Sequence, residues 1–562
     1  MKKLILCTAT LLVSIIASSQ VTNEGSPKSW DLDFLSIEKQ GLTAIEMPTF
    51  DLKKIQEEDA INDQDKSKVY RFGYEFKVDL GFKNAGIWNQ LESGNWIWRI
   101  RIKSKNAKTI NFVFDNYKLP KGASVYFYNT DKSDLLGAYT DVFNRDDKML
   151  GTWMIEGDDI IVEYFVPALM KGKGELNISK VIHGYRSVTD TELEAKALND
   201  SGNCNQDVDC PVGSDFDSLK DGLKPAVALF ILGGGVCSGT LVNNTSNNRN
   251  PYFLSANHCF EGTGGTSNPA TWAFRFNWVS PNPSCGNTTP STNGTFDQTT
   301  SGATILANNR KSDVLLVNID TNLPESWNLE WAGWDRTGNA PSFVVGIHHP
   351  SGDIMKVCRE NVSPTVANSV NIGGLLAPPD TWRVADWDLG VTEGGSSGSA
   401  IFDPLGRIIG QLAGGSAFCA NGGSGTNDNN QPDFYGRFDV SWDFGTTNST
   451  RLSNWLDPTN TGRTTLNSLS EEIALGVDEN ELAESTFLYP NPSQGIFNVE
   501  NKSGSQLTYE VYNMVGQQIK KGEVASENST IDLSANVNGI YFISMTNTST
   551  NLNTTKKVVV NR

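Results

Sequence analysis

The stretch Thr392-Glu-Gly-Gly-Ser-Ser-Gly-Ser-Ala400 constrains the fold of this chain more than any other. Its side chains are too small for a core and too polar for a buried strand. Glycines permit tight turns and bring amide N–H groups close to a bound molecule. Acyl transfer requires a hydroxyl that attacks, with amides beside it that stabilise the oxyanion. Taken alone, the stretch is more typical of a flexible turn, so its interpretation depends on partners elsewhere in the chain.

Length and charge narrow the class of protein. A chain of 562 residues predicts several domains. The net charge of −18 and the pI of about 4.8 argue against nucleic acid as a partner. The 52 glycines and the many Asn, Ser and Thr residues favour a β-rich fold. No apolar run beyond the N-terminus approaches ~20 residues, so we expect no transmembrane span. We expect a monomer.

The N-terminus has the pattern of a secretory signal peptide. Met1-Lys-Lys3 is basic, residues 4–17 are apolar, and Ser18-Ser-Gln20 is small and polar. We therefore assign residues 1–20 to a segment that is removed on export. Cys7 lies inside it. Export leads to an oxidising compartment, where the later cysteines can pair.

Residues 21–196 predict a β-sandwich-like domain with no evident chemistry. Apolar and basic residues alternate from Trp98 to Lys103, which is typical of a half-buried strand. Segments 153–156 and 160–166 flank a Gly-Asp-Asp turn and predict a hairpin. His183 has the setting of a structural residue.

Residues 197–465 contain every cysteine after the signal peptide. Their number is odd, so at least one has no partner within the chain. Zinc-type Cys-x-x-Cys and His-Glu-x-x-His spacings are absent. The adjacent His348 and His349 would point to opposite faces of a strand, so we expect no metal site and no cofactor. The cysteines are Cys204, Cys210, Cys237, Cys259, Cys285, Cys358 and Cys419.

The sequence offers two residues that could act with Ser397 in catalysis, His258 and Asp313. His258 ends an apolar strand, and Asp313 opens the apolar strand at 314–319. No histidine follows Ser397, which excludes the Ser, Asp, His order of α/β-hydrolases. The order His258, Asp313, Ser397 is that of the chymotrypsin-type double β-barrel.

Several long motifs, recurring in one order between residues 204 and 458, carry a family resemblance. They resemble the secreted bacterial lysyl endopeptidases, which are trypsin-like serine proteases. The resemblance implies that His258 is the general base, Asp313 its orienting acid and Ser397 the nucleophile. It also implies that the amides of Gly395 and Ser397 form the oxyanion hole. The motifs are Cys237-Ser-Gly-Thr-Leu-Val-Asn-Asn-Thr, Tyr252-Phe-Leu-Ser-Ala-Asn-His-Cys259, Trp331-Ala-Gly-Trp-Asp-Arg336, His348-His-Pro350 and Gly395-Ser-Ser-Gly-Ser399.

The same resemblance implies a pocket for a basic side chain. Ordinary trypsins have an Asp where this chain has Val391, but the family's Asp-x-Tyr-Gly-Arg matches Asp433-Phe-Tyr-Gly-Arg437. Asp433 is thereby implied as the substrate-binding acid. Ala413 replaces a histidine of the family, and the region of Asn371 lacks its tryptophan. These departures leave the choice between Lys and Arg open.

The resemblance further implies disulfides and processing. The implied pairs are Cys204–Cys419, Cys210–Cys285 and Cys237–Cys259, and Cys358 has no partner among them. Residues 21–196 become the propeptide of a zymogen. We expect self-cleavage after Lys196.

Residues 466–485 are predicted to be an acidic linker, followed by a small β-rich domain at 486–562. The motif Leu488-Tyr-Pro-Asn-Pro492 and the later strand patterns resemble the C-terminal sorting domain of type IX secretion. This implies passage across an outer membrane, the secretion machinery as a partner, and release or surface attachment. The alternative is an accessory β-sandwich that binds substrate.

The sequence thus predicts an all-β chain with a propeptide, a double β-barrel and a small β-sandwich. Its expected activity is hydrolysis of polypeptides after basic residues. One alternative is a non-catalytic adhesin on a protease scaffold. Another is a serine protease with a different preference for the residue before the cut.

Overall fold

The computed structural model describes residues 25–31, 41–186, 201–262, 267–285, 291, 298–420, 428–470, 486–502, 506–514, 516–524, 528–547 and 553–562. The predicted signal peptide (1–20), the processing residue Lys196 and linker residues 471–485 lie outside these ranges. The chain divides into two compact units, residues 1–471 and 472–562. Among the described residues, no helix combines the length and the apolar character that a membrane span requires.

The first domain consists of two β-sheets with a short helix. One sheet has the order β1-β5-β11-β7-β8 with β4 beside β5, and the other has the order β10-β6-β12-β3 with β9 beside β6. Strand β2 pairs instead with the second domain. The elements are α1 (Leu52–Asn62), β1 (Ala44–Glu46), β2 (Tyr70–Arg71), β3 (Gly73–Gly81), β4 (Ile87–Gln90), β5 (Trp96–Lys103), β6 (Thr109–Lys118), β7 (Ser124–Asn129), β8 (Leu135–Tyr139), β9 (Leu150–Gly151), β10 (Ile155–Glu156), β11 (Asp159–Val166) and β12 (Glu175–Gly184).

The alternation in β5 buries Trp98, Ile100 and Ile102 in the core of this domain. The predicted hairpin around Gly157 is wrong. Strand β10 pairs with β6, whereas β11 pairs with β5 and β7 of the other sheet. The turn at Gly157 (φ 98°) is therefore a crossing between sheets. The turn pattern predicts a reversal of the chain but not the strand that each arm joins.

The second domain consists of two sheets that are antiparallel except where β22 pairs in parallel with β28. The first has the order β18-β17-β14-β15-β16-β20-β19, and the second has the order β13-β24-β23-β27-β28-β29-β26-β25 with β22 and β30 attached. Strands β21 and β31 form a separate pair. The elements are α2 (Asp217–Leu223), α3 (Asn257–Glu261), α4 (Phe438–Trp442), α5 (Ser453–Leu456), β13 (Gln206–Asp207), β14 (Val227–Leu232), β15 (Gly235–Leu241), β16 (Tyr252–Ala256), β17 (Ala273–Phe276), β18 (Thr299–Ser301), β19 (Ala303–Asn309), β20 (Val314–Ile319), β21 (Glu330–Trp331), β22 (Trp334–Asp335), β23 (Val344–His348), β24 (Lys356–Glu360), β25 (Thr365–Ala367), β26 (Thr381–Val384), β27 (Ala400–Phe402), β28 (Ile408–Gly415), β29 (Asp433–Arg437), β30 (Thr465–Leu466) and β31 (Leu469–Ser470).

The two sheets of the second domain position the predicted site residues from opposite sides. His258 and Asp313 belong to the first sheet and its connections, whereas Ser397 and Asp433 belong to the second. This is the predicted chymotrypsin-type arrangement, and the all-β fold class is confirmed. Residues 466–470, assigned to the linker from sequence, form parts of β30 and β31 and pair with β22 and β21.

Strand β14 is apolar at every position because it lies between the cores of the first and second domains. Phe230 and Leu232 pack in the core of the second domain, whereas Leu229 and Ile231 pack in the core of the first. Successive side chains of a strand point to opposite faces, so a strand covered on both sides is apolar throughout. The two domains are therefore joined through a continuous apolar contact.

The C-terminal unit has its own core between two sheets. The sheet orders are β32-β33-β36 and β35-β34-β37-β38. Inward residues such as Phe497, Val511 and Ile543 are fully buried. The strands are β32 (Thr486–Tyr489), β33 (Ile496–Asn501), β34 (Leu507–Asn513), β35 (Gln518–Val524), β36 (Asn528–Asp532), β37 (Gly539–Asn547) and β38 (Asn553–Val560).

A glycine in β29 is required where the two sheets meet. A Cβ on Gly436 would overlap the backbone oxygen of Ser312 and the side-chain amide of Gln411. We expect Gly436→Ala to lower the free energy of unfolding by about 1–3 kcal/mol, because a backbone atom must move. Urea unfolding, followed by tryptophan fluorescence, measures this change. Gly222→Ala in α2 is the matched control, since a Cβ there meets no atom within 4 Å. Equal midpoints for the two variants would contradict the prediction.

Candidate active site

Antiparallel pairing of β16 and β20 brings His258 to Asp313. Ala256 lies opposite Val314, so the residues that follow one strand and precede the other are neighbours. His258 Nδ1 lies 2.6 Å from Asp313 Oδ2, and the His258 backbone N–H donates to Asp313 Oδ1 at 2.9 Å. Both side chains are buried, and burial raises the pKa of Asp313 while His258 opposes that rise. Among the described residues, His258 Nε2 has no hydrogen-bond partner.

Asp313 has an uncommon backbone conformation that its surroundings hold in place. Its φ is 53°, in the left-handed region that Asp tolerates better than most residues. The Asn257 N–H donates to the Asp313 carbonyl at 2.8 Å, and Gln411 Nε2 donates to the preceding carbonyl of Ser312 at 2.7 Å. Gln411 belongs to the second sheet, so both sheets fix the orientation of this carboxylate.

The glycine–serine loop before β27 packs against β15. The Ser238 N–H donates to the Ser397 carbonyl, and Ser238 Oγ donates to the Gly395 carbonyl, both at 2.9 Å. Gly395 has a φ of 92°, and a Cβ there would lie 3.0 Å from the His349 carbonyl. Within the described part of the chain, the N–H groups of Gly395 and Ser397 donate to no acceptor.

A residue of the first domain lies against Ser397. The Ser397 hydroxyl donates to the carbonyl oxygen of Lys66 at 2.8 Å. Lys66 follows α1 and is 331 residues away in sequence. This places a peptide carbonyl at the hydroxyl that the sequence analysis singled out.

The Lys66 side chain extends to Asp433. Its Nζ lies 2.7 Å from Asp433 Oδ1 and 2.8 Å from Thr392 Oγ1. The other oxygen of Asp433 accepts hydrogen bonds from Thr392 Oγ1 at 2.6 Å and Trp387 Nε1 at 2.9 Å. Phe418 lies with its ring centroid 5.0 Å from the ammonium. Both charged side chains are 0% exposed, so these contacts replace the water that each charge has lost. Burial lowers the pKa of Lys66, and the Asp433 carboxylate opposes that shift.

The cysteines near the site are inert. The structure joins Cys204 to Cys419, Cys210 to Cys285 and Cys237 to Cys259. Cys358 is a buried free thiol whose pKa is raised well above its usual value, by burial first and by the Asp433 carboxylate second. A thiol needs exposure and a low pKa to react, and Cys358 has neither.

The adjacent His348 and His349 help to hold the loop that carries Ser397. His348 Nδ1 lies 2.8 Å from Ser396 Oγ, the residue before Ser397. His349 Nδ1 donates to the Asp353 carbonyl at 2.9 Å, and its ring stacks on Trp278. Burial lowers the pKa of His349 to about 4, so it is neutral at pH 7. The two rings contact different partners, as their adjacency predicts.

The parts of the chain that match known protein families coincide with the second domain and the C-terminal domain. Residues 198–436 match the family model for the lysyl endopeptidase C-terminal domain, and residues 487–561 match that for the secretion system C-terminal sorting domain. The resemblance predicted from the motifs is confirmed. The second domain is thus similar to the lysyl endopeptidase C-terminal domain, and the last domain is similar to the sorting domain of type IX secretion. The predicted location, secreted or attached to the cell surface, is confirmed.

Similar proteins share parts of the chain. Lysyl endopeptidase of Pseudomonas aeruginosa is 31% identical over 318 residues, which cover 52% of this chain and 64% of that protein. Beta-agarase A of Zobellia galactanivorans is 38% identical over 94 residues, 16% of this chain and 17% of that protein. The chain thus spans less than two thirds of the length of these curated relatives. The inactive form of Rv3671c from M. tuberculosis has a TM-score of 0.24 at 14% sequence identity, covering 40% of this chain and 90% of that one.

The sequence analysis missed Lys66, Thr392 and Trp387. Thr392 opens the very stretch that drew attention to Ser397, but no motif showed that its hydroxyl bridges a cation and a carboxylate. Lys66 and Lys68 follow an acidic segment of the sequence. This change of charge was the one local feature that could have drawn attention to Lys66. The contacts of these three side chains could be identified only from the folded structure.

The burial of Cys358 predicts the result of thiol labelling. In the chain without residues 1–20, iodoacetamide is expected to modify no cysteine before denaturation and one, Cys358, after denaturation without a reductant. Mass spectrometry of the peptides identifies the labelled residue. Cys358→Ser is the control and should remain unlabelled under both conditions. Rapid labelling of the native chain would contradict the assignment.

Proposed function

We propose that this chain is a secreted serine endopeptidase that hydrolyses peptide bonds after lysine. Ser397 is the nucleophile, His258 the general base, Asp313 the acid that orients His258, and Asp433 the substrate-binding acid. The observation that carries the proposal is a lysine whose carbonyl oxygen contacts the Ser397 hydroxyl while its ammonium pairs with Asp433.

The proposed reaction is acyl transfer through a covalent intermediate. Ser397 Oγ attacks the carbonyl carbon and passes its proton to His258 Nε2, which has no competing partner within the described residues. Asp313 holds Nδ1 at 2.6 Å and stabilises the imidazolium that forms. His258 then protonates the leaving amine, and water hydrolyses the acyl-enzyme. The N–H groups of Gly395 and Ser397 stabilise the oxyanion, an interaction worth ~10²–10³ in rate for one donor in comparable sites.

A cavity beside His258 supports the second half of this reaction. It has a volume of about 390 Å³, and its walls include His258, Asp313 and residues 67–69, which follow Lys66. It therefore lies on the side from which the amine leaves. A water molecule that enters there meets the histidine that must activate it.

The pocket favours lysine over arginine. Asp433, Thr392 and the Phe418 ring surround a single nitrogen, and the buried pair leaves no exposed surface. An arginine guanidinium is planar and brings five N–H donors, which need acceptors in a fork-shaped arrangement.

Hydrolysis of matched peptide amides ending in Lys, Arg, Glu and Leu tests the proposal on protein from which the first domain has been removed. Ser397→Ala is expected to abolish cleavage, with a loss on the order of 10⁶ in kcat. Asp433→Asn should lower kcat/KM for Lys by about 10²–10³-fold, because it leaves the ammonium buried without its counter-ion. Asp443→Asn is the matched control, since Asp443 is exposed at the end of α4.

The outcomes separate the two parts of the proposal. Cleavage after Glu or Leu that survives Asp433→Asn would keep the nucleophile and refute the pocket. A folded protein that has been freed of residues 41–186 and still cleaves no peptide would refute the enzyme itself and favour the binding-protein alternative.

The bridging hydroxyl gives an independent test of the pocket. Thr392→Val removes the group that accepts from the lysine and donates to Asp433. We expect kcat/KM for the Lys peptide to fall by about tenfold, the effect of one unsatisfied buried polar group. Thr392→Ser keeps the hydroxyl and should retain most of the activity. Equal losses in the two variants would show that packing, not the hydrogen bonds, is responsible.

A further inference from the structure

The segment that contains Lys66 lies in the candidate site in the manner of a bound peptide. After Lys66 the chain continues into β2, where Tyr70 lies opposite Val236 and Arg71 opposite Gly235 of β15. The N–H groups of Phe72 and Gly73 both donate to the carbonyl of Gly234, at 2.8 and 3.1 Å. The segment thus adds a strand to the sheet that carries His258, which is a common way for proteins to hold extended peptides.

Hydrogen bonds connect the two sides of the Lys66–Ser67 peptide bond. Asp65 Oδ1 accepts from the Ser67 N–H at 3.1 Å and from Ser67 Oγ at 2.5 Å, and the Lys68 N–H donates to the Asp65 carbonyl at 2.9 Å. The Gly374 N–H of the second domain donates to Ser67 Oγ at 2.7 Å. If this bond opened, the new amine would still be held beside the acyl group. Such an arrangement favours a bound inhibitor over a released product.

The rest of the first domain holds the segment rigidly. Arg71 Nε donates to Asp59 Oδ1 at 2.8 Å, and Asp59, which is 1% exposed, also accepts from Tyr185 at 2.7 Å. Asp59 lies in α1 near the start of the first domain, and Tyr185 directly follows β12 at its end. Hydrogen bonds from both ends of the domain therefore fix the position of Arg71 and of the segment that contains it. Leu229 and Ile231 of β14 pack in the first domain's core and dock it on the second. A segment ordered before it binds loses little entropy on binding.

We propose that the first domain is a substrate-like inhibitor of the chain's own active site, with Lys66 as the residue in the specificity pocket. This inference rests on the proposed function, which makes Ser397 the nucleophile. The contacts are non-covalent and independent of the connection to the second domain. Cleavage after Lys196 alone therefore leaves the site blocked, and activity begins only when residues 41–186 dissociate or are degraded.

Chemical labelling tests the occupancy of the pocket without any catalysis. The full chain with Ser397→Ala is treated with acetic anhydride, and acetylation of each lysine is followed by mass spectrometry. Lys66 is 0% exposed, whereas Lys68 is exposed two residues later and is the internal reference. We expect Lys66 to react at least tenfold more slowly than Lys68. Equal rates would overturn the proposal.

The onset of activity tests inhibition. The full chain is secreted or refolded with Ser397 intact, and cleavage of a Lys peptide amide is followed from the first minutes. Lys66→Ala is expected to shorten the lag at least tenfold, whereas Lys53→Ala, the control at a position of α1 whose side chain is 87% exposed, should behave like the unsubstituted chain. An unchanged lag in a folded Lys66→Ala protein would overturn the proposal.

The two experiments keep this inference distinct from the proposed function. If protein freed of the first domain cleaves nothing, the proposed function fails, while the acetylation rates still decide whether Lys66 occupies the pocket. If the freed protein is active but Lys66 is labelled as fast as Lys68, the inhibitor proposal alone fails. If Lys66→Ala does not fold, labelling of the Ser397→Ala chain decides.

Discussion

The buried ion pair between Lys66 and Asp433 is the interaction on which the arrangement of this protein depends. Two charges without water are costly unless each is hydrogen-bonded as well as paired. Thr392 and Trp387 supply those hydrogen bonds, and they come from the strand connections around Ser397. The same carboxylate therefore serves two purposes. It holds the first domain in place through Lys66. When that domain departs, the Asp433 carboxylate loses its counter-ion and attracts another cation.

The contact between the domains also explains a feature of the fold. Strand β14 is apolar on both faces because one face belongs to each core. Removal of the first domain would expose Leu229, Ile231 and Val236 as well as the pocket. The separation of these domains thus changes both the surface and the accessibility of Ser397.

The geometry of the site results from contacts between its two sheets. His258 and Asp313 are neighbours because β16 pairs with β20, a local consequence of strand register. Hydrogen bonds between Ser238 and the loop before β27 hold the Ser397 segment against β15, a strand of the first sheet. Gln411 completes the contact by holding the turn at Ser312 and Asp313. His258, Asp313 and Ser397 come from three separate segments of the chain, so no single segment determines the geometry of the site.

The sequence by itself determined the all-β class, the order His258, Asp313, Ser397 and the family motif that contains Asp433. Strand periodicity, the lack of a histidine after Ser397 and long ordered motifs are local properties, so they can be seen without a structure. The turn at Gly157 shows the limit, because a turn pattern does not specify which sheets its arms join. Only the tertiary structure decided that Lys66 pairs with Asp433. Its partner Asp433 lies 367 residues away, and a single lysine in a polar segment has no pattern that reveals such a contact. The physical reason is that burial of a charge depends on the groups that surround it in space.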